Sequence, residues 1–149
     1  MIAYLEALKG YLNKSISIEQ LASLEETEVI RAESSKTSSL SISSYEISLT
    51  KSTAMQFYNF FKKLYASNSS PVYVWIEYVS DCGVLLIDSI LAIREDFDFS
   101  PDDNGVIVFT TSDNQDRLSL NFWSNINGEQ RLTIEAQGNN WQKVEFSNY

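Results

Sequence analysis

The sequence contains no histidine, and this absence removes more chemistry than any other feature of the composition. Catalytic triads that use an imidazole, zinc sites with histidine ligands and histidine-mediated proton transfer near neutral pH are all excluded. Cysteine occurs once, at Cys82, so no disulfide can form within the chain. A lone cysteine is typical of a reducing compartment. Any catalysis by this chain would therefore have to use carboxylates or lysines.

Long apolar segments are missing as well. No stretch approaches the roughly 18 apolar residues of a membrane span. The N-terminal segment has no basic region before an apolar run, and Glu6 and Lys9 interrupt its apolar residues. We therefore expect a cytoplasmic protein without membrane contact. The 149 residues, 44% of them hydrophobic, predict one domain over residues 1–149 with its own core.

Two helices are predicted near the N-terminus. Apolar residues recur every three or four positions from Ile2 to Leu12, which is the pattern of an amphipathic helix. Ser17 and Gln20 fit a capping box for a second, short helix. The buried face of this second helix is predicted to contain Ile18, Leu21 and Leu24.

A longer helix is predicted in the middle of the chain. Thr53 and Gln56 fit a capping box, and a broad apolar face follows through Tyr65. We expect this to be the main core helix. Its apolar face comprises Met55, Phe57, Phe60, Phe61, Leu64 and Tyr65. Between the helices, Thr27 to Glu33 is interpreted as a strand and the serine-rich segment from Ser34 to Ser44 as a mobile loop.

The second half of the chain is dominated by strand patterns. Alternating or continuous apolar residues between turn signals predict strands in this part. The predicted strands are Val72 to Val79, Gly83 to Ile87, Gly105 to Thr111, Arg117 to Phe122, Arg131 to Ala136 and Val144 to Phe146. Asp88 could cap a helical turn through Ile93. The fold class expected is α+β, with N-terminal helices and one core helix packed on a mainly antiparallel β-sheet that forms a meander in the C-terminal half.

The net negative charge of the chain comes from one stretch. Between Glu77 and Asp116 there are ten acidic residues, and Arg94 is the one basic residue. The net charge of this stretch is −9, which is the net charge of the whole chain, so the remaining residues are neutral together. A surface of this kind attracts a cationic partner and disfavours nucleic acid as a direct ligand. The alternative without a partner is that the acidic loops only keep a small protein soluble.

Metal binding and catalysis find little support in the sequence. Asp96, Asp98 and Ser100 match the first ligand positions of a calcium-binding EF-hand loop, but Pro101 replaces the required glycine and Ile107 the glutamate. We therefore predict no metal and no cofactor, although an oxygen-ligand site from Asp98, Asp102 and Asp103 stays open. Nucleotide-binding glycine motifs are absent, and paired carboxylates cannot be judged without distances. The prediction is a protein without enzymatic activity.

One resemblance to a known family emerges from the order of several segments. They are Glu46-Ile-Ser-Leu49, Phe57-Tyr-Asn-Phe-Phe61, Val84 to Leu91 and Gly105-Val-Ile-Val-Phe109, followed by Asp113 to Leu120. Together they resemble the SUKH superfamily of bacterial immunity proteins. The acidic profile is also similar to that of immunity proteins of contact-dependent growth inhibition systems.

This resemblance implies inhibition of a cognate toxin domain by direct complex formation, the toxin being a basic protein such as a nuclease. The expected contact residues are Asp96, Phe97, Asp98, Phe99, Asp102, Asp103, Asp113 and Asp116. The two phenylalanines are candidate anchors, or they hold the loop on the core. A non-enzymatic adaptor or structural subunit of a bacterial or phage-related assembly is the alternative, and a carboxylate-based hydrolase is a further one.

Overall fold

The computed structural model describes residues 1–12, 15–39, 41–49, 53–94 and 105–146. The α-helices are α1 (Ile2–Leu12), α2 (Leu24–Ser34), α3 (Thr53–Ser67) and α4 (Val79–Cys82). The strands are β1 (Ile42–Ser48), β2 (Val72–Trp75), β3 (Leu85–Ile87), β4 (Val106–Thr111), β5 (Asp116–Ser124) and β6 (Gln130–Gly138). Short 3-10 helices cover Ile18–Gln20, Ser35–Ser39, Ile90–Ala92 and Trp141–Lys143.

The six strands form one sheet in the order β1-β6-β5-β4-β2-β3, and every neighbouring pair is antiparallel. Strands β4, β5 and β6 pair in sequence order as the predicted meander. Strand β1, from the first third of the chain, completes the sheet beside β6. The predicted α+β class, with N-terminal helices and a core helix on an antiparallel sheet, is confirmed.

The core lies on the face of the sheet that is shared with α1 and α3. Inward positions of β5 and β6 are fully buried, and α1 adds Tyr4, Leu8 and Leu12 to the same cluster. The Phe146 ring packs edge-on against two rings of α3, with its centre 5.9 Å from the ring centre of Phe57 and 5.2 Å from that of Phe60. Each buried phenylalanine contributes roughly 1.5–3 kcal/mol of transfer free energy. The core therefore ties both terminal regions to the sheet.

Helix α3 is the predicted core helix, with two differences. Phe57, Phe60, Phe61 and Leu64 are buried as expected, and these are the residues that contact the core. Met55 and Tyr65, which were predicted on the same face, are exposed. The buried stripe is thus narrower than the apolar pattern, because a helix that packs on one sheet face buries only about a third of its circumference.

Helix α2 occupies the segment that was interpreted as a strand, so that prediction was wrong. The side chain of Ser23 accepts a hydrogen bond from Glu26 N at 3.0 Å, which caps the helix, and acidic residues stand in its first turn. These end effects outweigh the β-branched residues that suggested a strand. Ile18 and Leu24, predicted to be buried, are exposed, because the 3-10 turn Ile18–Gln20 and the first turn of α2 both lie at the surface.

The described residues of the serine-rich segment lie mostly in regular secondary structure, where a mobile loop was predicted. Ser35–Ser39 is a 3-10 helix, and β1 begins at Ile42. The Ser43 hydroxyl donates a hydrogen bond to the Gln142 carbonyl at 2.7 Å. Because β1 is an edge strand with one face toward solvent, it accommodates serines that a central strand would exclude.

Three smaller predictions were also wrong. Strand β2 ends at Trp75 and not at Val79, because the chain turns there into α4. Ser89, and not Asp88, caps the 3-10 turn Ile90–Ala92, since its side chain accepts a hydrogen bond from Leu91 N. The final apolar residues form no strand, because Phe146 packs on the rings of α3 and leaves the sheet register.

Candidate functional site

Most of the contact residues predicted from the sequence lie outside the described residues. These are Asp96, Phe97, Asp98, Phe99, Asp102 and Asp103. Asp98, Asp102 and Asp103, for which an oxygen-ligand metal site was left open, also lie there. Asp113 and Asp116 are described, and the structure gives them different environments.

Asp116 is fully buried and acts as a connector inside the protein. Its Oδ1 accepts hydrogen bonds from the backbone N–H groups of Asn140 and Trp141, both at 2.8 Å. Its Oδ2 accepts from the side-chain amides of Asn68 at 2.7 Å and Asn140 at 2.9 Å. A carboxylate with four internal donors and no exposed surface has no position from which to contact a partner. Its role is to join the end of α3, the start of β5 and the turn before Trp141.

Asp113 is exposed beside this connector. Its carboxylate accepts hydrogen bonds from Asn68, Ser70 and the backbone N–H of Gln115. Partial burial raises the pKa of Asp113, but the hydrogen bonds from Thr111, Gln115, Asn68 and Ser70 together hold this pKa below its usual value. Asp113 therefore stabilises its own turn.

The acidic stretch from Glu77 to Asp116 is divided between two ends of the sheet. Strand β2 ends near the start of β4, since Trp75 pairs with Val108, so Glu77 lies at that end together with Gly105. We call it the Glu77 end. Asp113 follows the last residue of β4 and lies at the opposite end, which we call the Asp113 end. The six residues of β4 separate the two ends by about 17 Å.

At the Glu77 end, two acidic elements from distant parts of the sequence pack together. Helix α2 carries four exposed glutamates, three of them in its first half, and packs against α4, which carries Asp81 and follows Glu77. We define the acidic corner as Glu25, Glu26, Glu28, Glu77 and Asp81. Arg31 lies beside it and pairs with Glu28 at 3.5 Å. The acidic corner therefore contains more carboxylates than α2 or the α4 region supplies alone.

Three hydrogen bonds to residues 80–84 and one within the helix start fix α2 in this position. The Thr27 hydroxyl accepts from Val84 N at 3.1 Å and donates to Ser23 O at 2.7 Å. Ala22 N donates to Val84 O at 2.9 Å, and Arg31 donates to the Ser80 hydroxyl at 2.9 Å. Since Thr27 is buried, its bond to Val84 is shielded from water and holds the helix start against the β3 region.

Exposed apolar side chains accompany the acidic corner. Tyr78, Leu24 and Val29 have exposed fractions of 49%, 50% and 65%. Tyr78 has a φ of 75°, a left-handed conformation that costs a non-glycine residue about 1 kcal/mol or more. The surrounding structure imposes this conformation, because Tyr78 O accepts from the N–H groups of Asp81 and Cys82. Charged and exposed aromatic groups side by side are typical of protein contact surfaces.

The contribution of α2 to this corner was not predicted from the sequence. The residues before Glu77 have no net charge in sum, but their acidic and basic side chains lie at different places in the fold. Ser23 followed by Glu26 is a capping-box signature that would have identified the helix. Its contact with α4 is tertiary, and no local pattern predicts it.

Within the described residues, no three histidine, cysteine, aspartate or glutamate side chains are grouped so that they could hold a metal ion. No helix in that part of the chain has the length and apolar character of a membrane span. Comparisons of the chain with protein-family models, curated proteins and solved structures found no match. The resemblance to immunity proteins therefore stays a prediction.

Proposed function

We propose that this protein is a cytoplasmic immunity protein that binds a cognate basic toxin domain, of the nuclease type, and neutralises it by direct complex formation. The observation that carries the proposal is the acidic corner, where five exposed carboxylates lie beside exposed Tyr78, Leu24 and Val29. Opposite charges accelerate and orient the encounter of two proteins, whereas aromatic and aliphatic anchors hold the complex.

A basic nuclease suits this surface for a chemical reason. Such an enzyme binds nucleic acid through lysine and arginine contacts to phosphates, so its substrate surface is positively charged. A carboxylate-rich protein surface presents the same sign of charge and competes for the same groups. Inhibition then requires no catalysis by the immunity protein.

The proposed contact surface includes the acidic corner and the predicted residues Asp96, Phe97, Asp98, Phe99, Asp102 and Asp103, which lie outside the described residues. Asp116 is left out because it is buried, and Asp113 because it lies at the Asp113 end. The described part of the proposed interface therefore lies at the Glu77 end of the sheet.

The proposal predicts that a large exported protein is encoded immediately upstream of this gene, and the direct test uses that protein. Its C-terminal domain should be toxic when expressed alone, should copurify with the present protein, and should lose toxicity on coexpression. Failure of both copurification and rescue would overturn the proposal. A stable obligate oligomer that copurifies with structural proteins instead would favour the adaptor alternative.

The contact surface is tested with two triple variants of equal charge change. E25Q/E28Q/E77Q removes three carboxylates from the acidic corner, and E6Q/E129Q/E145Q removes three exposed carboxylates from separate elements. We expect the first variant to associate about tenfold more slowly at low salt and to show a flatter salt dependence. Equal effects of the two variants would mean that only net charge matters and would remove the acidic corner from the interface.

A further inference from the structure

A cleft opens between α2 and the outer face of the sheet, with a volume of about 240 Å³. Its lining includes Arg31, Ser34, Trp75, Val108, Thr110 and Arg117. The side chains of Trp75 and Val108 form an apolar floor, since these residues face each other in the β2–β4 register. Two guanidinium groups and the hydroxyls of Ser34, Ser35 and Thr110 supply the polar part. The cleft therefore combines an apolar surface with positive charge in a chain whose net charge is −9.

The charge of Arg117 is not matched by the protein. Within the described part of the chain its side chain has no hydrogen bond and no ion pair, and it is only half exposed. Glu135 on β6 is the nearest acid in the strand register, where it pairs with Ser119 and not with Arg117. A partly desolvated guanidinium without an acceptor is a prepared site for an anion, preferably one with two oxygens.

Arg31 is held over the same cleft by contacts that still allow its guanidinium group to bind an anion. Its guanidinium carbon lies 5.2 Å from the centre of the Trp75 ring, and the pair with Glu28 at 3.5 Å is on an exposed surface. Exposed pairs of this kind contribute little free energy. A ligand oxygen can therefore replace the Glu28 contact at small cost.

A short hydrogen-bond chain leaves one hydroxyl hydrogen without an acceptor. The indole N–H of Trp75 donates to Thr110 Oγ1 at 2.8 Å, and Thr110 Oγ1 lies 3.3 Å from Ser34 Oγ. These three groups have three polar hydrogens and form two hydrogen bonds among the described residues. Ser34 is 4% exposed and Thr110 1%, and both line the cleft, so the remaining hydrogen is available to a ligand bound there.

We infer that this cleft binds a carboxylate joined to a small apolar group. The carboxylate lies against Arg117, with Arg31 and the free hydroxyl hydrogen of the Ser34–Thr110 pair as further donors, and the apolar group lies on Trp75 and Val108. The volume suits a ligand of about ten non-hydrogen atoms. Such a group occurs in a free organic acid and at the C-terminus of a peptide. The inference does not depend on toxin binding.

The experiment titrates the full chain with phenylacetate, acetyl-Ala-Phe, phenylacetamide and inorganic phosphate, and follows the indole N–H signals of the three tryptophans by NMR. We expect the two carboxylates to move the Trp75 signal and to leave that of buried Trp141 in place. The uncharged amide should bind at least about tenfold more weakly. Tighter binding of phenylacetate assigns the site to a free acid, and tighter binding of the dipeptide assigns it to a peptide terminus.

Two variants of equal charge test the site residues. R117Q should weaken carboxylate binding about tenfold or more, whereas R131Q, outside the cleft and paired with Glu46 at 2.9 Å, should leave it unchanged. Equal binding of amide and acid, tighter binding of phosphate, or equal effects of the two variants would each overturn the inference. An unchanged spectrum of R117Q away from the cleft would show that the variant is folded.

Discussion

The buried carboxylate of Asp116 joins three segments that meet at the Asp113 end of the sheet. In D116N, an amide nitrogen would face N–H donors from Asn68, Asn140 and Trp141, so at least one donor would lose its acceptor. We expect the free energy of unfolding to fall by about 3 kcal/mol. Urea denaturation followed by circular dichroism at pH 7 measures this loss.

The matched control is D113N, which makes the same chemical change at an exposed carboxylate that shares Asn68 as a partner. Its effect should stay below about 1 kcal/mol, because water compensates the lost contacts. A D116N variant as stable as D113N would contradict the connector role of Asp116.

Tyr4 predicts a response to alkaline pH. Burial raises the pKa of Tyr4 well above its usual value, with a smaller contribution from the charge of Cys82, and its hydroxyl donates to Gly83 O at 2.6 Å. The folded state holds this proton more tightly than the unfolded state. The contribution of Tyr4 is therefore complete below the unfolded pKa of about 10 and declines as the pH rises above it.

In Y4F the hydrogen bond is lost, so unfolding at pH 7 should become easier by about 1 kcal/mol. Between pH 10 and pH 11 the variant should lose stability less steeply than the wild-type chain, because one perturbed tyrosine is gone. Urea midpoints at pH 7, 9, 10 and 11 test this, and parallel curves for the two proteins would refute it.

Helix α2 depends on its cap more than on its packing, since few of its residues are buried. Replacing Ser23 by alanine removes the acceptor for Glu26 N and should cost about 1 kcal/mol of stability. S124A, at an exposed serine near the end of β5, should change stability by less than about 0.5 kcal/mol. Thermal unfolding of both variants provides the comparison. Equal melting temperatures would show that the tertiary contacts alone hold α2.

Elements with a long, regular period were predictable from the sequence, and those set by end effects or by tertiary contacts were not. The stripe of α1 and the alternation of β5 and β6 decided those elements locally. The segment around Thr27 contains β-branched residues, and its helix is selected by Ser23 and by the contact of Thr27 with Val84. Local patterns carry no information on such a contact.

The candidate site shows the same division. The sequence located the excess of acidic residues, but the separation of Glu77 from Asp113 follows from the direction of β4 between them. The burial of Asp116 and the approach of Glu28 to the α4 region require the fold. Composition therefore predicted an acidic surface, but it did not predict which residues form it.

For the molecule as a whole, ionic strength should act with opposite sign on folding and on binding. Raising it from about 0.01 M to about 0.1 M shortens the Debye length from about 30 Å to about 10 Å. Repulsion within the chain of net charge −9 is then screened, so the free energy of unfolding should rise by about 0.5 kcal/mol. Association with a basic partner should become slower over the same range.

Urea denaturation and stopped-flow association at matched salt concentrations measure the two effects. In E25Q/E28Q/E77Q both responses should shrink together, because the same carboxylates produce them. A free protein that loses stability with added salt would show that attractive pairs, and not repulsion, dominate its surface.

The position of β1 beside β6 has a consequence for synthesis. Ile42 pairs with Gln137, so β1 leaves the ribosome 95 residues before its partner is complete. At 5–20 residues per second this is an interval of roughly 5–19 s during which the strand has no neighbour. Three of its seven residues are serines, and together with Glu46 they keep an unpaired strand soluble. The serine-rich composition of β1 thus helps to keep the nascent chain soluble until β6 has been synthesised.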